Sequence, residues 1–143
     1  MSSHETYTDA AILKILRETR SIAMVGASAN PERPSYGVLH FLVEKGYRVF
    51  PVNPGHVGKT IAGQPVHARL ADIVEPIDLV DIFRRSEFVG PVVDAALRLD
   101  PLPKVIWMQL GIRDDAAAAR AEAAGITVVM NHCLKIEYSR LMA

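Results

Sequence analysis

The sequence predicts an α/β fold: a Rossmann-like, doubly wound sheet of five parallel strands, with helices on both faces, in a single domain. Short apolar runs, nearly continuous and mostly β-branched or aromatic, alternate along the chain with segments of helical periodicity. Continuous apolar runs are typical of strands buried on both faces, and single helices between strands imply parallel, right-handed crossovers. The predicted strands are residues 22–25, 48–52, 79–83, 105–108 and 126–130.

Five helices are predicted from apolar spacing and from residues that start or stop helices. Gly46 and Gly125 end two of them, and Asp114 lies where a helix N-terminus favours negative charge. Pro91 is compatible with a helix because it falls in the first turn. The predicted helices are residues 8–19, 36–45, 89–99, 114–124 and 134–141.

Composition narrows the classes of function. The 143 residues include 16 Lys and Arg against 16 Asp and Glu, and 50% are hydrophobic. A chain of this length and composition suits one folded domain, residues 1–143, in which we expect residues 1–8 to form a flexible N-terminus. The zero net charge argues against non-specific binding to nucleic acid.

Cys133 is the only cysteine, which excludes an internal disulfide framework and a multi-cysteine zinc site and fits a reducing compartment. No His or carboxylate cluster has metal-ligand spacing, so no metal is predicted. The polar N-terminus is unlike a signal peptide, and no apolar stretch approaches the roughly 20 residues that span a bilayer. We therefore expect a cytoplasmic protein that does not bind membranes.

Small or polar residues follow every predicted strand. In open parallel sheets, ligands bind beyond the carboxyl ends of the strands, near the point where the strand order reverses. We therefore expect a binding site for a small molecule formed by these segments, which are residues 26–31, 53–56, 84–86, 109–111 and 131–133.

The segment after the first strand has the features of an anion site. Gly26 permits a tight turn, and Ser28 and Asn30 offer side-chain donors ahead of a helix whose free N–H groups suit a phosphate. The Gly-x-Gly-x-x-Gly dinucleotide fingerprint is absent, because Ala27 and Pro31 are among the residues that interrupt it.

The segment after the second strand favours a phosphate over free ribose hydroxyls. Asn53 stands where NAD-binding folds carry an acid for the ribose. His56 and Lys59 follow, and either could contact a phosphate.

Five stretches stand in order at the predicted strand ends. They are Val-Gly-Ala-Ser at 25–28 with Ser-Tyr at 35–36, Val-Asn-Pro at 52–54, Ile-Asp-Leu-Val-Asp-Ile-Phe-Arg at 77–84, Trp-Met-Gln-Leu-Gly at 107–111, and Val-Met-Asn-His-Cys at 129–133. In these stretches the chain resembles the small single-domain CoA-binding proteins that are related to the N-terminal domain of the succinyl-CoA synthetase alpha subunit. The resemblance covers roughly residues 15–141.

This resemblance implies a cofactor, coenzyme A or an acyl-CoA, bound at the strand ends. Carried over by position, the ADP and pyrophosphate would lie near Gly26, Ala27, Ser28, Ser35 and Tyr36. The adenosine end would lie near Asn53 and Pro54, the third strand would contribute Phe83 and Arg84, and the pantetheine would pass Gln109 and Gly111. No catalytic residue is implied, because the phosphorylated histidine of the synthetase lies in a second domain for which 143 residues leave no room.

Several of these residues also have structural interpretations. Strand alternation would let only one of Arg84 and Arg85 face a ligand, and we expect Arg84. Trp107 is expected in the core, and Cys133 as a small buried hydrophobe rather than a nucleophile. The acidic stretch Asp72, Glu75, Asp78 and Asp81 is expected to be a solvated face with turn and cap roles.

Two other functions stay open at this point. An NAD(P)-linked oxidoreductase would share the fold class, but it needs a proton-handling residue near the nicotinamide, and only His132 or Cys133 offers one. The other function is that of a non-catalytic CoA-binding subunit of a larger complex. A protein partner or a homo-oligomer also stays open. Independent catalytic activity is not expected from the residues that carry the resemblance.

Overall fold

The computed structural model describes residues 4–142 as one α/β unit. The strands are β1 (Ser21–Val25), β2 (Arg48–Val52), β3 (Thr60–Ile61), β4 (Gln64–Pro65), β5 (Leu79–Ile82), β6 (Val105–Met108) and β7 (Thr127–Val129). The helices are α1 (Asp9–Glu18), α2 (Pro34–Glu44), α3 (Val89–Ala96), α4 (Asp115–Ala123) and α5 (Leu134–Leu141). Each predicted strand and helix has a counterpart, so the predicted fold class is confirmed.

Five strands form one parallel sheet in the order β2-β1-β5-β6-β7. The chain runs outward from β1 to β2, crosses back to β5 on the other side of β1, and continues to β7. The strand order therefore reverses between β1 and β5, and ligands bind outside the carboxyl ends of a sheet at such a point. The topology thus places the candidate site before any side chain is considered.

The sheet is buried on both faces, as the continuous apolar runs predict. On β1, Met24 packs in the layer that contains α1, α2 and α5, whereas Ala23 packs in the layer that contains α3 and α4. Residues of α4 that face the sheet include Ala117 and Ala121, whose small side chains allow a close approach. Trp107 is fully buried, and its indole N–H donates to the carbonyl of His132 at 2.8 Å, so the predicted core role is confirmed.

The crossover from β2 to β5, for which the sequence predicts no helix, contains no α-helix. It holds two short 3-10 turns and the antiparallel pair β3–β4. Pro54 and Pro65 lack the N–H donors that a helix needs, and Gly63, at φ +77°, makes the tight turn. Ile61 and Leu70 from this segment are buried in opposite layers, so the irregular chain still covers both faces of the sheet.

Part of the N-terminal segment expected to be flexible, residues 1–3, lies outside the described residues. Within the rest, the Tyr7 hydroxyl accepts a hydrogen bond from the backbone N–H of Met130 at 2.8 Å. His4 Nε2 lies 3.1 Å from a carboxylate oxygen of Glu122. No helix within residues 4–142 is long and apolar enough to cross a bilayer.

Candidate functional site

A cavity of about 580 Å³ opens at the switch point between β1 and β5. Its volume falls in the range of small-molecule sites, roughly 300–1,000 Å³. A smaller cavity of about 300 Å³ lies near the amino ends of the strands, beside α1, where parallel sheets do not bind ligands. The switch-point cavity, lined by residues from the ends of β1, β2, β5 and β6 and the starts of α2 and α5, is therefore the candidate site.

Gly26 brings the ends of β1 and β5 together. Its φ of +88° lies in the left-handed region, and a Cβ added there would lie 2.6 Å from the carbonyl oxygen of Phe83. The Gly26 N–H donates to the carbonyl of Val52 at 2.9 Å, which holds the same turn against β2. Glycine is thus required both by the backbone conformation and by the neighbouring chain.

Ser35 fixes the loop that leads from β1 into α2. The Ser35 side chain is buried, and its hydroxyl oxygen accepts from the N–H of Ser28 at 3.1 Å. The Ser28 hydroxyl oxygen in turn accepts from the N–H of Asn30. Arg33 occupies the N-cap of α2 but supplies no side-chain acceptor to the first turn. The start of α2 is therefore held in place while its N-terminus stays without a side-chain cap, an arrangement that suits an anion.

Asn53 ties the loop after β2 to the loop after β1. Its Nδ2 donates to the carbonyl of Ala27 at 2.8 Å, and its Oδ1 accepts from the N–H of Gly55 at 2.9 Å. A carboxylate could accept from Gly55 but would face the Ala27 carbonyl without a proton to donate. This explains in physical terms why the position carries an amide.

The cavity lining is cationic. It contains Arg33, Arg84, Arg85 and His56 and no Asp or Glu. Arg84 has no carboxylate partner among the described residues and stacks on Phe88, with its guanidinium carbon 5.0 Å from the ring centroid. Positive charge without compensating carboxylates favours an anionic ligand.

Both Arg84 and Arg85 line the cavity, so strand alternation does not separate them as expected, and that only Arg84 contacts a ligand stays a prediction. β5 ends at Ile82, so the two arginines lie in a loop where strand alternation no longer separates them. They differ in their partners, because Arg85 pairs with Glu87 at 3.6 Å and is mostly exposed. Arg84 is therefore the arginine whose charge is left for a ligand.

The rest of the cavity lining is uncharged. It includes Gln109 and Cys133, with Val38, Leu110 and Ile112 among its apolar residues. Gln109 is 4% exposed, and its Oε1 lies 3.4 Å from the N–H of Leu134, which donates to it. Cys133 is 9% exposed, as expected of a small buried hydrophobe, and it also faces the cavity.

Asp81 lies one layer beneath the cavity floor. It is paired in register with Met24 and Trp107 on the neighbouring strands, and residues two positions further along each strand face the same side. Those residues are the cavity residues Gly26, Phe83 and Gln109. The Asp81 carboxyl is fully buried with no hydrogen-bond partner among residues 4–142, and this burial raises its pKa well above the usual range.

The expectation of a solvated acidic face is therefore wrong for Asp81. It holds for two of the other acids, since Glu75 pairs with Arg48 at 2.7 Å and Asp72 pairs with Arg69 at 3.1 Å, both at the surface. Asp78 accepts from the backbone N–H of Arg20 at 2.8 Å, which is a turn role of the expected kind. Asp81 differs because it is inside a central strand.

Comparison with known proteins agrees with this geometry. Residues 20–139 match the CoA-binding domain family. The chain belongs to that family. It is 35% identical over 130 residues to the "Uncharacterized protein YneT" of Bacillus subtilis, a match that covers 91% of this chain and 93% of that protein. A solved structure of a hypothetical protein from Pyrococcus horikoshii superimposes with a TM-score of 0.91 at 33% identity, covering 100% of this chain and 98% of the other.

A more distant match links the CoA-binding domain to a larger enzyme. The alpha subunit of an ADP-forming acetate–CoA ligase from Pyrococcus furiosus is 30% identical over 86 residues, which is 57% of this chain and 19% of that subunit. The shared part is therefore a domain of the subunit, in line with the resemblance to a synthetase domain.

The structure of this CoA-binding domain brings together most of the residues that the sequence singled out. The switch-point cavity is lined by Gly26, Ser28, Ser35, Asn53, His56, Phe83, Arg84 and Gln109. Pro54 lines an adjoining cavity of about 210 Å³ that shares Gly26, Asn53 and Arg84. Ala27, Asn30, Tyr36, Lys59 and Gly111 line neither cavity.

Those five residues have other surroundings in the domain. Ala27 is buried, and its carbonyl accepts from Asn53. The Tyr36 ring packs against His40, with 4.4 Å between the centroids. The Gly111 N–H donates to Oδ1 of Asn131 at 2.7 Å. Asn30 and Lys59 are exposed.

Four lining residues lie outside the predicted segments and were missed by the sequence reasoning. They are Arg33, Pro34, Val38 and Ile112. A signal existed for the first three, because they precede or belong to a predicted helix that follows the anion loop. No comparable signal marked Ile112, whose position depends on how the loop after β6 turns.

Proposed function

We propose that this protein binds coenzyme A, free or acylated, in the switch-point cavity. The observation that carries the proposal is that one cavity combines anion-binding features, the unpaired guanidinium of Arg84 and the start of α2, with uncharged lining residues such as Gln109 and Val38. Coenzyme A likewise combines phosphates with a neutral pantetheine arm. Membership of the CoA-binding domain family supports this ligand.

The pyrophosphate belongs at the start of α2. Ser28, Ser35 and Arg33 line the cavity near the start of α2, and Arg84 lines the same cavity from the loop after β5. Helix N-termini and unpaired guanidinium groups are the two protein features that favour phosphate most directly. The adenosine then extends toward Asn53 and Pro54 in the adjoining cavity.

The 3′-phosphate is assigned to the loop after β2. His56 lines the cavity, and its Nδ1 is buried without a hydrogen-bond partner among residues 4–142. Lys59 follows on the same loop and is exposed. The pantetheine arm runs past Phe83 and Gln109, whose amide suits the amide groups of that arm.

The alternative NAD(P)-linked oxidoreductase is disfavoured by two observations. Asn53 stands where an acid would bind the ribose hydroxyls, and both its amide oxygen and its amide nitrogen already bind the backbone. His132 does not line the cavity, and its Nδ1 lies 2.9 Å from the carbonyl of Met130. We assign no reaction to the bound ligand within the proposed role.

Replacing Arg84 by alanine is expected to weaken CoA binding about 10–150-fold, because a hydrogen bond to a charged group contributes about 1.5–3 kcal/mol. Isothermal titration calorimetry with CoA measures the change. The matched control is Arg98→Ala, which removes the same charge from an exposed residue outside the cavity. An equal, small effect of both substitutions would remove Arg84 from the proposed site.

A further inference from the structure

Asn131 bonds the loop after β7 to the loop after β6. Its backbone has a φ of +60°, in the left-handed region that Asn tolerates better than most residues. Its side-chain Oδ1 accepts from the N–H of Gly111 at 2.7 Å, and its own N–H donates to the carbonyl of Ile112 at 3.1 Å. Asn131 itself is exposed and lines neither of the two cavities at the switch point.

The loop after β6 forms part of the cavity wall and has little buried surface of its own. Leu110 is 57% exposed, and Gly111 is exposed as well. Within the loop, the Ile112 N–H donates to the carbonyl of Gln109 at 2.9 Å. A loop with few buried contacts depends on hydrogen bonds to keep one conformation. The loop residues that line the cavity are Gln109, Leu110 and Ile112.

A second asparagine joins the loops on the other side of the switch point. The Asn53 side chain, in the loop after β2, donates to the carbonyl of Ala27 in the loop after β1 at 2.8 Å. Four of the loops at the carboxyl edge of the sheet are therefore joined in two pairs, each by an asparagine side chain. Loops that are already fixed lower the free-energy cost of ordering the site when a ligand binds.

We propose that Asn131 is a positioning residue of the ligand site, which acts by holding the loop after β6 in the conformation that contacts the ligand. This inference rests on the proposed function for the identity of the ligand and goes beyond it, because Asn131 lies outside the cavity lining. If the loop adopts the competent conformation only part of the time, the apparent affinity falls by that fraction.

Two substitutions separate the side-chain bond from the backbone conformation. Asn131→Gly removes the acceptor for the Gly111 N–H, and glycine adopts a positive φ without strain. Asn131→Asp keeps a side-chain oxygen acceptor, and Asp also tolerates the left-handed region. The matched control is Ala62→Gly, because Ala62 is the other non-glycine residue with positive φ among residues 4–142 and lines neither cavity.

Isothermal titration calorimetry with CoA compares the wild type with these three variants. Asn131→Gly is expected to weaken binding about 3–10-fold, the change that one net hydrogen bond corresponds to. Asn131→Asp and Ala62→Gly are expected to stay within about twofold of the wild type at about 0.3 M salt, which screens the added exposed charge. No loss in Asn131→Gly, or an equal loss in Asn131→Asp, would overturn the proposal.

Amide hydrogen exchange followed by NMR measures the loop directly. In the unliganded protein the Gly111 N–H is expected to exchange faster in Asn131→Gly than in the wild type, and at nearly the wild-type rate in Asn131→Asp. A wild-type Gly111 amide that exchanges as fast as an unprotected one would overturn the proposal without any variant. Urea unfolding checks that each variant is folded under the titration conditions.

The calorimetry also separates this proposal from the proposed function. If the wild type and Asn131→Gly bind CoA equally well, the positioning role is wrong and the proposed function stands. If the wild type does not bind CoA, the proposed function fails, and the positioning role fails with it.

Discussion

Replacing Asp81 by asparagine is expected to stabilise the protein at neutral pH while changing its stability little near pH 4. The carboxyl is fully buried in a central strand, has no hydrogen-bond partner among the described residues, and has a pKa raised well above its usual range by that burial. Asparagine has nearly the same shape and carries no proton that titrates. The substitution therefore removes the free-energy cost of ionising a buried carboxyl and keeps the free-energy cost of burying a polar group.

The direction of the pH dependence follows from which state holds the proton. In the unfolded chain an Asp releases its proton near pH 3.9, whereas native Asp81 retains it to higher pH because burial raises its pKa. Between the two pKa values the unfolded state binds fewer protons, so stability falls as pH rises, by up to about 1.4 kcal/mol per pH unit. Below about pH 4 the Asp81 carboxyl causes no loss of stability, and above its native pKa the loss of stability is complete.

Urea unfolding of the wild type and Asp81→Asn between pH 4 and pH 8 measures this difference. The control is Glu44→Gln, which makes the same chemical change at an exposed residue for which no hydrogen bond or ion pair occurs among residues 4–142. We expect the free energy difference between wild type and Asp81→Asn to widen with pH and that for Glu44→Gln to stay nearly constant. Parallel curves for the wild type and Asp81→Asn would contradict the buried, protonated carboxyl.

Replacing Gly26 by alanine is expected to destabilise the protein by about 1–3 kcal/mol more than replacing Gly46 by alanine. Both glycines have positive φ, +88° and +96°, so both substitutions carry the cost of a left-handed residue, about 1–2 kcal/mol. The two positions differ in the room that each leaves for an added Cβ. A Cβ at Gly26 would meet the carbonyl of Phe83 at 2.6 Å, whereas nothing lies within 4 Å of one at Gly46.

The difference between these two variants isolates the close approach of β1 and β5. Urea unfolding at neutral pH gives both free energies, and subtraction removes the shared backbone cost. Because the clash lies at the cavity, Gly26→Ala is also expected to weaken CoA binding under conditions where the variant remains folded. Equal destabilisation by the two alanines would show that the ends of β1 and β5 tolerate a wider separation.

The fold was predictable because burial on both faces leaves a simple pattern. Strand β6 is apolar at every position and β1 at every position but its first, and the position of the ligand site then follows from parallel topology. The structure of the crossover between β2 and β5 was not predictable from apolar patterns, because its short turns bury only scattered residues such as Ile61 and Leu70.

The site was predictable only in part. Gly26, Ser35 and Asn53 could be identified because strand ends and helix starts place them. The burial of Gln109 and the protonation of the Asp81 carboxyl depend on the residues that pack above and beside them. The identity of one residue in the sequence does not show which residues those are. For Asp81 two sequence signals conflicted, because the apolar run 79–83 predicted a buried strand whereas the surrounding acids suggested a solvated face.

Calorimetric titration of the wild-type protein with CoA, dephospho-CoA, NAD and NADP tests the central claim most directly. The cationic lining and the amide at Asn53 predict that CoA binds most tightly. Loss of the 3′-phosphate is expected to weaken binding about 10–150-fold, the range for a charged hydrogen bond. Binding of NAD or NADP more tightly than CoA, or no binding of CoA at all, would contradict the account.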